Sequence, residues 1–322
     1  MNLILSNAGL INESSYSGIS FHSEQLVYEV IRVIDGIPLF LEDHFNRLVR
    51  STQIQGLAFQ MAFTDFKRNI AELVRVNQKL DGNIKFVYSV ADGNIHWAFS
   101  FILHSYPTPD DYQLGVVADL LFAERRNPNA KVIQFGIRDE ANQMISDRKL
   151  YEVLLVDSDG MITEGSRSNV FFVKNDVFYT APASMVLMGI TRQKVLVCLN
   201  ELGFSIAEEA VLADQISQFD AAFLTGTSPK VLPIKSIGAG TIIFSDWTPS
   251  SGYVVIIRHK DDLLSVYKNA ASVTKSQGNV VKSGEVIALA GSSTPQKPNA
   301  TLRFELWKDG FPIDPTQFIN FN

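Results

Sequence analysis

The side chains best suited to metal or thiol chemistry are few and dispersed in this sequence. Cys198 is the one cysteine, so neither an internal disulfide nor a thiolate metal cage is expected. The five histidines (His22, His44, His96, His104 and His259) form no HxH or HExxH pair, and that spacing argues against a histidine metal site. Polar residues set into apolar runs gather instead in three segments: MITEGSRSNVFFV at 161–173, LMGITRQK at 187–194 and TGTS at 225–228. Chemistry here is therefore sought among lysine, carboxylate, arginine and hydroxyl groups.

The rest of the composition narrows the class. A chain of 322 residues has room for about two domains, each with its own core. With 46% hydrophobic and 19% charged residues it is of ordinary globular type. A net charge of −6 argues against nucleic acid as the main partner. No apolar run reaches the roughly 18 residues of a membrane span. The start, MNLILSNAGLINESS, lacks the basic region and long apolar core of a signal peptide, so the expected compartment is the cytoplasm.

Residues 27–33 read as a strand, Asp35-Gly36 as a turn, and 41 onward as a helix that Asp43 caps. A second amphipathic helix is expected over 64–76. Strands over 83–90 and 96–103 flank an Asp92-Gly93 turn, and PTPDD at 107–111 reads as a linker and first domain boundary. Beyond it come a strand over 115–121, a helix near 135–146 and an apolar strand over 151–156. A hairpin follows around Asn175-Asp176, then a helix over 191–202 ending at Gly203, and a short strand over 221–224. From about 238 short alternating stretches with frequent turn signals (241–244, 253–258, 263–267, 286–290, 302–307) suggest an all-β module.

VYEV at 27–30, EDHFNRL at 42–48, TEGSRSNVF at 163–171, GITR at 189–192 and TGTS at 225–228 follow one another in the order of the class IV (fold type IV) pyridoxal-phosphate enzymes. The chain resembles that family over about 23–237: branched-chain and D-amino-acid aminotransferases and aminodeoxychorismate lyase. The resemblance implies an α/β enzyme of two subdomains, 1–108 and 109–237, a homodimer, and pyridoxal 5'-phosphate as cofactor. It assigns Lys131, 33 residues before Glu164 and expected in a helical segment, as the lysine that bonds the cofactor aldehyde and shuttles the proton at Cα. Lys149 competes, but it stands two residues before a strand. Glu164 is implied as the partner of the pyridine nitrogen, and Arg47 as the phosphate arginine. Ile190 and Thr191, at a helix start, and Thr227 with Ser228 would add phosphate-binding N–H and hydroxyl groups. Tyr28 corresponds to a tyrosine lining the substrate pocket, and Lys85 stands near the substrate arginine of the branched-chain enzymes.

Departures from the family leave the substrate open. YSVADGNIH at 88–96 lacks the arginine with which the D-amino-acid enzymes grip a carboxylate, and Phe135 stands where branched-chain enzymes have tyrosine. The expected reaction is amino transfer between an amino acid, of branched-chain or D-amino-acid type, and a 2-oxo acid. A lyase of the aminodeoxychorismate type is the alternative.

GTIIFSDW at 240–247, GYVVIIRH at 252–259, SVYKN at 265–269, VVKSGEVIALAGSS at 280–293 and TLRFELW at 301–307 resemble the C-terminal part of an M23 (LytM-like) peptidase domain. In that alignment Asn269 replaces a zinc histidine, and Thr301 and Arg303 replace an HxH pair, so 238–322 is expected to be a degenerate β module without metal. Joining the two families at this point reads as a chimera. A third reading makes the chain a non-catalytic cell-envelope binding protein acting through this tail.

Overall fold

Alternation of fully and partly buried residues along 26–34 builds one of the long strands of the first sheet. The computed structural model describes residues 3–15, 26–91, 93–125, 127–132, 135–237, 240–259, 263–281, 286–290 and 302–317. Two compact bodies result, one of 1–116 with 120–235 and the other of 236–322 with 117–119.

In the first body, β1 (Leu3–Ser6), β2 (Gly9–Asn12), β3 (Leu26–Ile34), β4 (Ile37–Pro38), β5 (Gly82–Ala91) and β6 (Asn94–Ile102) form an antiparallel sheet in the order β2-β1-β6-β5-β3-β4. Helices α1 (Leu41–Ile54) and α2 (Phe63–Asn77) cover one face of it, burying Leu48, Phe66, Ile70 and Leu73 against Ile31, Val33, Phe86 and Phe99. Phe66, Phe86 and Phe99 are mutually packed at centroid distances of 4.4–5.2 Å, within the range where aromatic pairs add to simple burial. Asp43 does not cap α1. Phe40 takes the cap position in a left-handed conformation, and Asp43 lies one turn in, paired with Lys194 at 2.9 Å. Asp92 of the expected turn lies outside the described residues.

The second sheet of this body comprises β7 (Val116–Phe122), β8 (Glu152–Val156), β9 (Met161–Gly165), β10 (Asn169–Lys174), β11 (Val177–Tyr179), β12 (Ser205–Ala207), β13 (Val211–Leu212), β14 (Ala221–Gly226) and β15 (Lys230–Ile237). Their order is β12-β11-β10-β14-β15-β7-β8-β9-β13. Three helices accompany it: α3 (Pro109–Leu114), α4 (Phe135–Arg148) and α5 (Ile190–Glu201). The PTPDD segment is not a free linker. Thr108 and Asp111 close a capping box around Pro109 in the first turn of α3, each side chain satisfying the other's backbone N–H. Lys131 also departs from expectation. It precedes α4, and its neighbour Val132 bridges Val27 of β3, so long-range pairing within the chain has displaced helix there.

The second body has its own sheet. β16 (Gly240–Thr248), β17 (Gly252–Arg258), β18 (Leu263–Val273), β19 (Val280–Val281), β20 (Ala288–Ala290), β21 (Arg303–Lys308) and β22 (Phe311–Ile313) run β19-β16-β17-β18-β21-β22, with β20 on β18. Ile242, Val255, Ile257 and Val281 are its buried centre.

Candidate active site

Two of three buried side chains on one face of α1 reach β3. His44, Arg47 and Ser51 recur at helical spacing and are all buried. Glu29, on the covered side of β3, accepts from Arg47 Nε and Nη2 at 2.7 Å each, and His44 Nδ1 lies 2.8 Å from its second oxygen. Burial alone would raise the Glu29 pKa. The Arg47 charge and the hydrogen bonds from Arg47 and His44 outweigh it and hold the carboxyl well below the usual range. Burial pushes His44 the other way, toward the neutral ring. Arg47 Nη1 then reaches the Met188 carbonyl at 3.3 Å, which stations the guanidinium beside the chain that leads into α5.

Ser51, one turn on, receives the Lys131 backbone N–H at 3.2 Å, while the Lys131 carbonyl accepts from Tyr28 N at 3.1 Å. The lysine is thus fixed by its main chain, and its Nζ lies 4.9 Å from the centre of the Tyr28 ring. Burial lowers its pKa, and the Arg47 and Arg125 charges act in the same direction against Tyr28 and Glu29. A lysine so placed is more readily deprotonated than an exposed one, which favours it as a nucleophile. Lys149, by contrast, is exposed beyond the end of α4.

Glu164 is buried in β9. Its Oε1 accepts from Arg125 Nη1 at 2.8 Å, and its Oε2 from Leu187 N at 3.2 Å and Asn169 Nδ2 at 3.4 Å. Burial raises its pKa, with Arg125 and the Leu187 N–H opposing, so a further cation beside it would be favoured. Asn169 also donates to the Leu187 carbonyl at 2.9 Å, which ties β10 to the approach to α5. Gly189 is required at the next turn, because a Cβ there would run into Asn169 Oδ1. The first N–H groups of α5, at Ile190 and Thr191, open the helix directly after it, where an anion is favoured.

The remaining expected residues fall as follows. Thr227 Oγ1 touches the Val30 carbonyl at the 3.5 Å limit of a hydrogen bond, and Ser228 Oγ accepts from Asn83 at 2.9 Å. Lys85 pairs in register with Val30, next to Tyr28 on the same face of the sheet, with Nζ 5.6 Å from the Tyr28 ring centre. The Phe135 side chain lies outside the described residues. Glu29, His44, Arg125 and Asn169 belong to this constellation and were not singled out from sequence, although Glu29 and His44 stand inside the VYEV and EDHFNRL motifs.

The residues fit an aromatic aldehyde bearing a phosphate. They offer an amine with a depressed pKa, a buried carboxylate whose ionised form Arg125 supports, an arginine held in place, and a helix start with no room for a side chain at Gly189. In the second body, by contrast, Arg303 pairs with Glu305 at 2.9 Å and Asn269 N donates to the Ser251 carbonyl. Thr301 lies outside the described residues, and no group of three metal-ligating side chains occurs among the described ones.

The profile of peptidase family M23 matches residues 220–315. That of amino-transferase class IV matches 26–237. A D-alanine aminotransferase of Bacillus licheniformis is 31% identical over 230 residues, covering 67% of this chain and 80% of that protein. A branched-chain-amino-acid aminotransferase of Pseudomonas aeruginosa is 38% identical over 246 residues, covering 69% and 80%. Among solved structures, the branched-chain aminotransferase of Thermoproteus uzoniensis with norvaline superposes with a TM-score of 0.64 at 23% identity, covering 73% of this chain and 87% of that one. With a family profile matched over about two thirds of its length and relatives above 30% identity over the same region, this chain belongs to the class IV aminotransferase family.

Proposed function

We propose that the chain moves an amino group between an amino acid and a 2-oxo acid with pyridoxal 5'-phosphate as cofactor. The observation that carries this reading is the short path joining Glu164, through Leu187 and Met188, to Arg47: one stretch of main chain touches both side chains and then opens α5. Arg47, the Ile190 and Thr191 N–H groups, Thr227 and Ser228 would hold the phosphate, and Glu164 the ring nitrogen. Pyridoxal phosphate supplies an electron-withdrawing ring conjugated to the substrate nitrogen. Lys131 would hold the cofactor through its aldehyde carbon, and its Nζ would carry the proton from and to the substrate α-carbon. Tyr28 and Lys85 line the substrate side.

Borohydride reduction of purified protein followed by peptide mapping tests the assignment: the reduced adduct should lie on Lys131. An adduct on Lys149, or on no lysine, would refute it. Amino-acid-dependent amination of 2-oxo acids should accompany it. Pyruvate release from 4-amino-4-deoxychorismate, without amino transfer, would favour a lyase instead.

A further inference from the structure

Glu152, at the start of β8, is a carboxylate only 3% exposed that the chemistry above does not use. Its Oε1 accepts from Ser166 Oγ at 2.6 Å and from Val153 N at 3.0 Å. Its Oε2 accepts from Ser168 Oγ at 2.8 Å and from Arg167 N at 3.2 Å. All four donors are neutral, and three of them belong to the turn between β9 and β10. Burying a carboxylate is costly, and filling both of its oxygens with donors offsets the cost. A carboxylate suits the place because it only accepts. An amide would turn its NH2 group toward the Arg167 or the Val153 N–H, and neither backbone donor can rotate away.

The turn so gripped is closed from every side. Gly165 N donates to the Ser168 carbonyl at 2.8 Å, and Ser166 N to the Val153 carbonyl at 2.9 Å. A Cβ at Gly165 would run into Ser168 Oγ and stand 3.1 Å from the Glu152 carboxyl carbon. From α4, Arg138 Nη1 donates to the Ser166 carbonyl at 3.0 Å, and Asn142 receives the Arg167 guanidinium. Glu164 stands directly before this turn and Asn169 directly after it. Their side chains meet at Leu187: Glu164 Oε2 accepts from its N–H, Asn169 donates to its carbonyl, and Asn169 Nδ2 lies 3.4 Å from Glu164 Oε2. The Glu152 carboxylate is thus the anchor from which both ends of the turn are aimed.

We propose that Glu152 is a positioning residue: by closing the 165–168 turn it aims Glu164 at the ring nitrogen of the cofactor, without touching the cofactor itself. A loosened turn would spread the Glu164 carboxylate over several orientations, and the ring nitrogen would lose a fixed partner. Arg47 on α1, the start of α5 and Lys131 stand on other segments, so the phosphate and aldehyde contacts would stay. The inference rests on the amino-transfer reading, and it adds to that site a residue that acts through another.

The test uses Glu152→Gln and two probes, pyridoxal 5'-phosphate and its analogue with a C–H in place of the ring nitrogen. Both carry the aldehyde and the phosphate, so only the first reports on Glu164. Wild type should favour pyridoxal 5'-phosphate about tenfold or more, and Glu152→Gln should remove most of that preference by weakening this probe alone. Added to Glu164→Gln, the same change should cost less than about twofold, since both act on one contact. Equal weakening of the two probes, additive losses in the double variant, or an unchanged preference would overturn the proposal. Hydrogen exchange in the cofactor-free chain reads the same device without a ligand. The Leu187 N–H, which Glu164 holds, should exchange about tenfold faster in Glu152→Gln, while the Phe86 N–H of β5 keeps its wild-type rate. An unmoved Leu187 N–H would likewise overturn it. Should Glu152→Gln not fold, Ser166→Ala removes the shortest of the four bonds and should give both effects at smaller amplitude. A wild type without preference between the probes would refute the role of Glu164 in amino transfer, and the exchange result would still decide whether Glu152 positions it.

Discussion

Arg47 is held by Glu29 through two parallel hydrogen bonds, so the helix that carries the arginine and the strand that carries the glutamate form one rigid seat. Removing one member of a buried ion pair strands the other, at a cost of about 3–5 kcal/mol. Glu29→Gln should lower stability by an amount of that order and weaken cofactor binding, although Glu29 is assigned no contact with the cofactor. A carboxyl with a depressed folded pKa contributes stability above the unfolded value of about 4.3 and loses it as pH falls further. Wild-type stability in urea should therefore drop more steeply than that of Glu29→Gln below about pH 4.3. Parallel acid profiles would count against the pair.

Lys131 has linkage of the same sign at higher pH, but there burial of the charged amine is a cost that deprotonation relieves. Its folded pKa lies below the unfolded value of about 10.4, so between the two the unfolded chain binds more protons and stability rises with pH. Cofactor-free wild type should gain thermal stability from pH 7 toward 10. Lys131→Met should flatten this rise and start from a higher melting temperature at pH 7. A variant with the wild-type slope would show the amine to be well hydrated.

Glu164→Gln should retain cofactor but slow amino transfer by on the order of 10²–10³-fold, as loss of a preorganised electrostatic partner typically does. An amide cannot balance a protonated ring nitrogen. Unchanged turnover would reduce Glu164 to a structural anchor for Arg125 and Leu187.

Gly189→Ala tests the approach to α5. The new methyl would collide with Asn169 Oδ1 and break the hydrogen bond from Asn169 to Leu187. Phosphate affinity at the helix start should fall about tenfold or more with a stability loss of ~1–3 kcal/mol. Cofactor titration and thermal melts separate the two effects, and wild-type affinity would show that this turn is not part of the cradle.

Zinc analysis of the whole chain should find substoichiometric metal, and peptidoglycan should not be cleaved. One zinc per chain lost on mutating His259 would overturn the reading of the second body. That imidazole lies 2.7 Å from Ser265 Oγ, a partner of structural kind.

What was legible in the sequence was local. TEGSRSN and GITR each stand within a few residues of a turn, so the resemblance could point to Glu164, Ile190 and Thr191 by position, and the structure places Glu164 buried in β9 and the other two at the start of α5. Arg125 and Arg138 could not, because their partners stand 39 and 28 residues away and neither lies in a motif. Helix was expected at Lys131, where an antiparallel bridge to Val27 prevails over local preference. The α3 capping box, Thr108 with Asp111, was present in the letters and was obscured by the two prolines around it. Phe40, as an apolar left-handed cap, left no sequence signal at all.

The pinning of Lys131 on both sides of its own peptide group has a kinetic consequence. Its nitrogen is bonded to Ser51 and its oxygen to Tyr28, so the proposed nucleophile is held by a helix and a strand some eighty and a hundred residues earlier in the chain. A partial opening that frees β3 or α1 would release the lysine backbone while β8–β10 and α5 stayed folded. Inactivation would then precede global unfolding, and the amide proton of Tyr28 would exchange with solvent at the rate at which activity is lost.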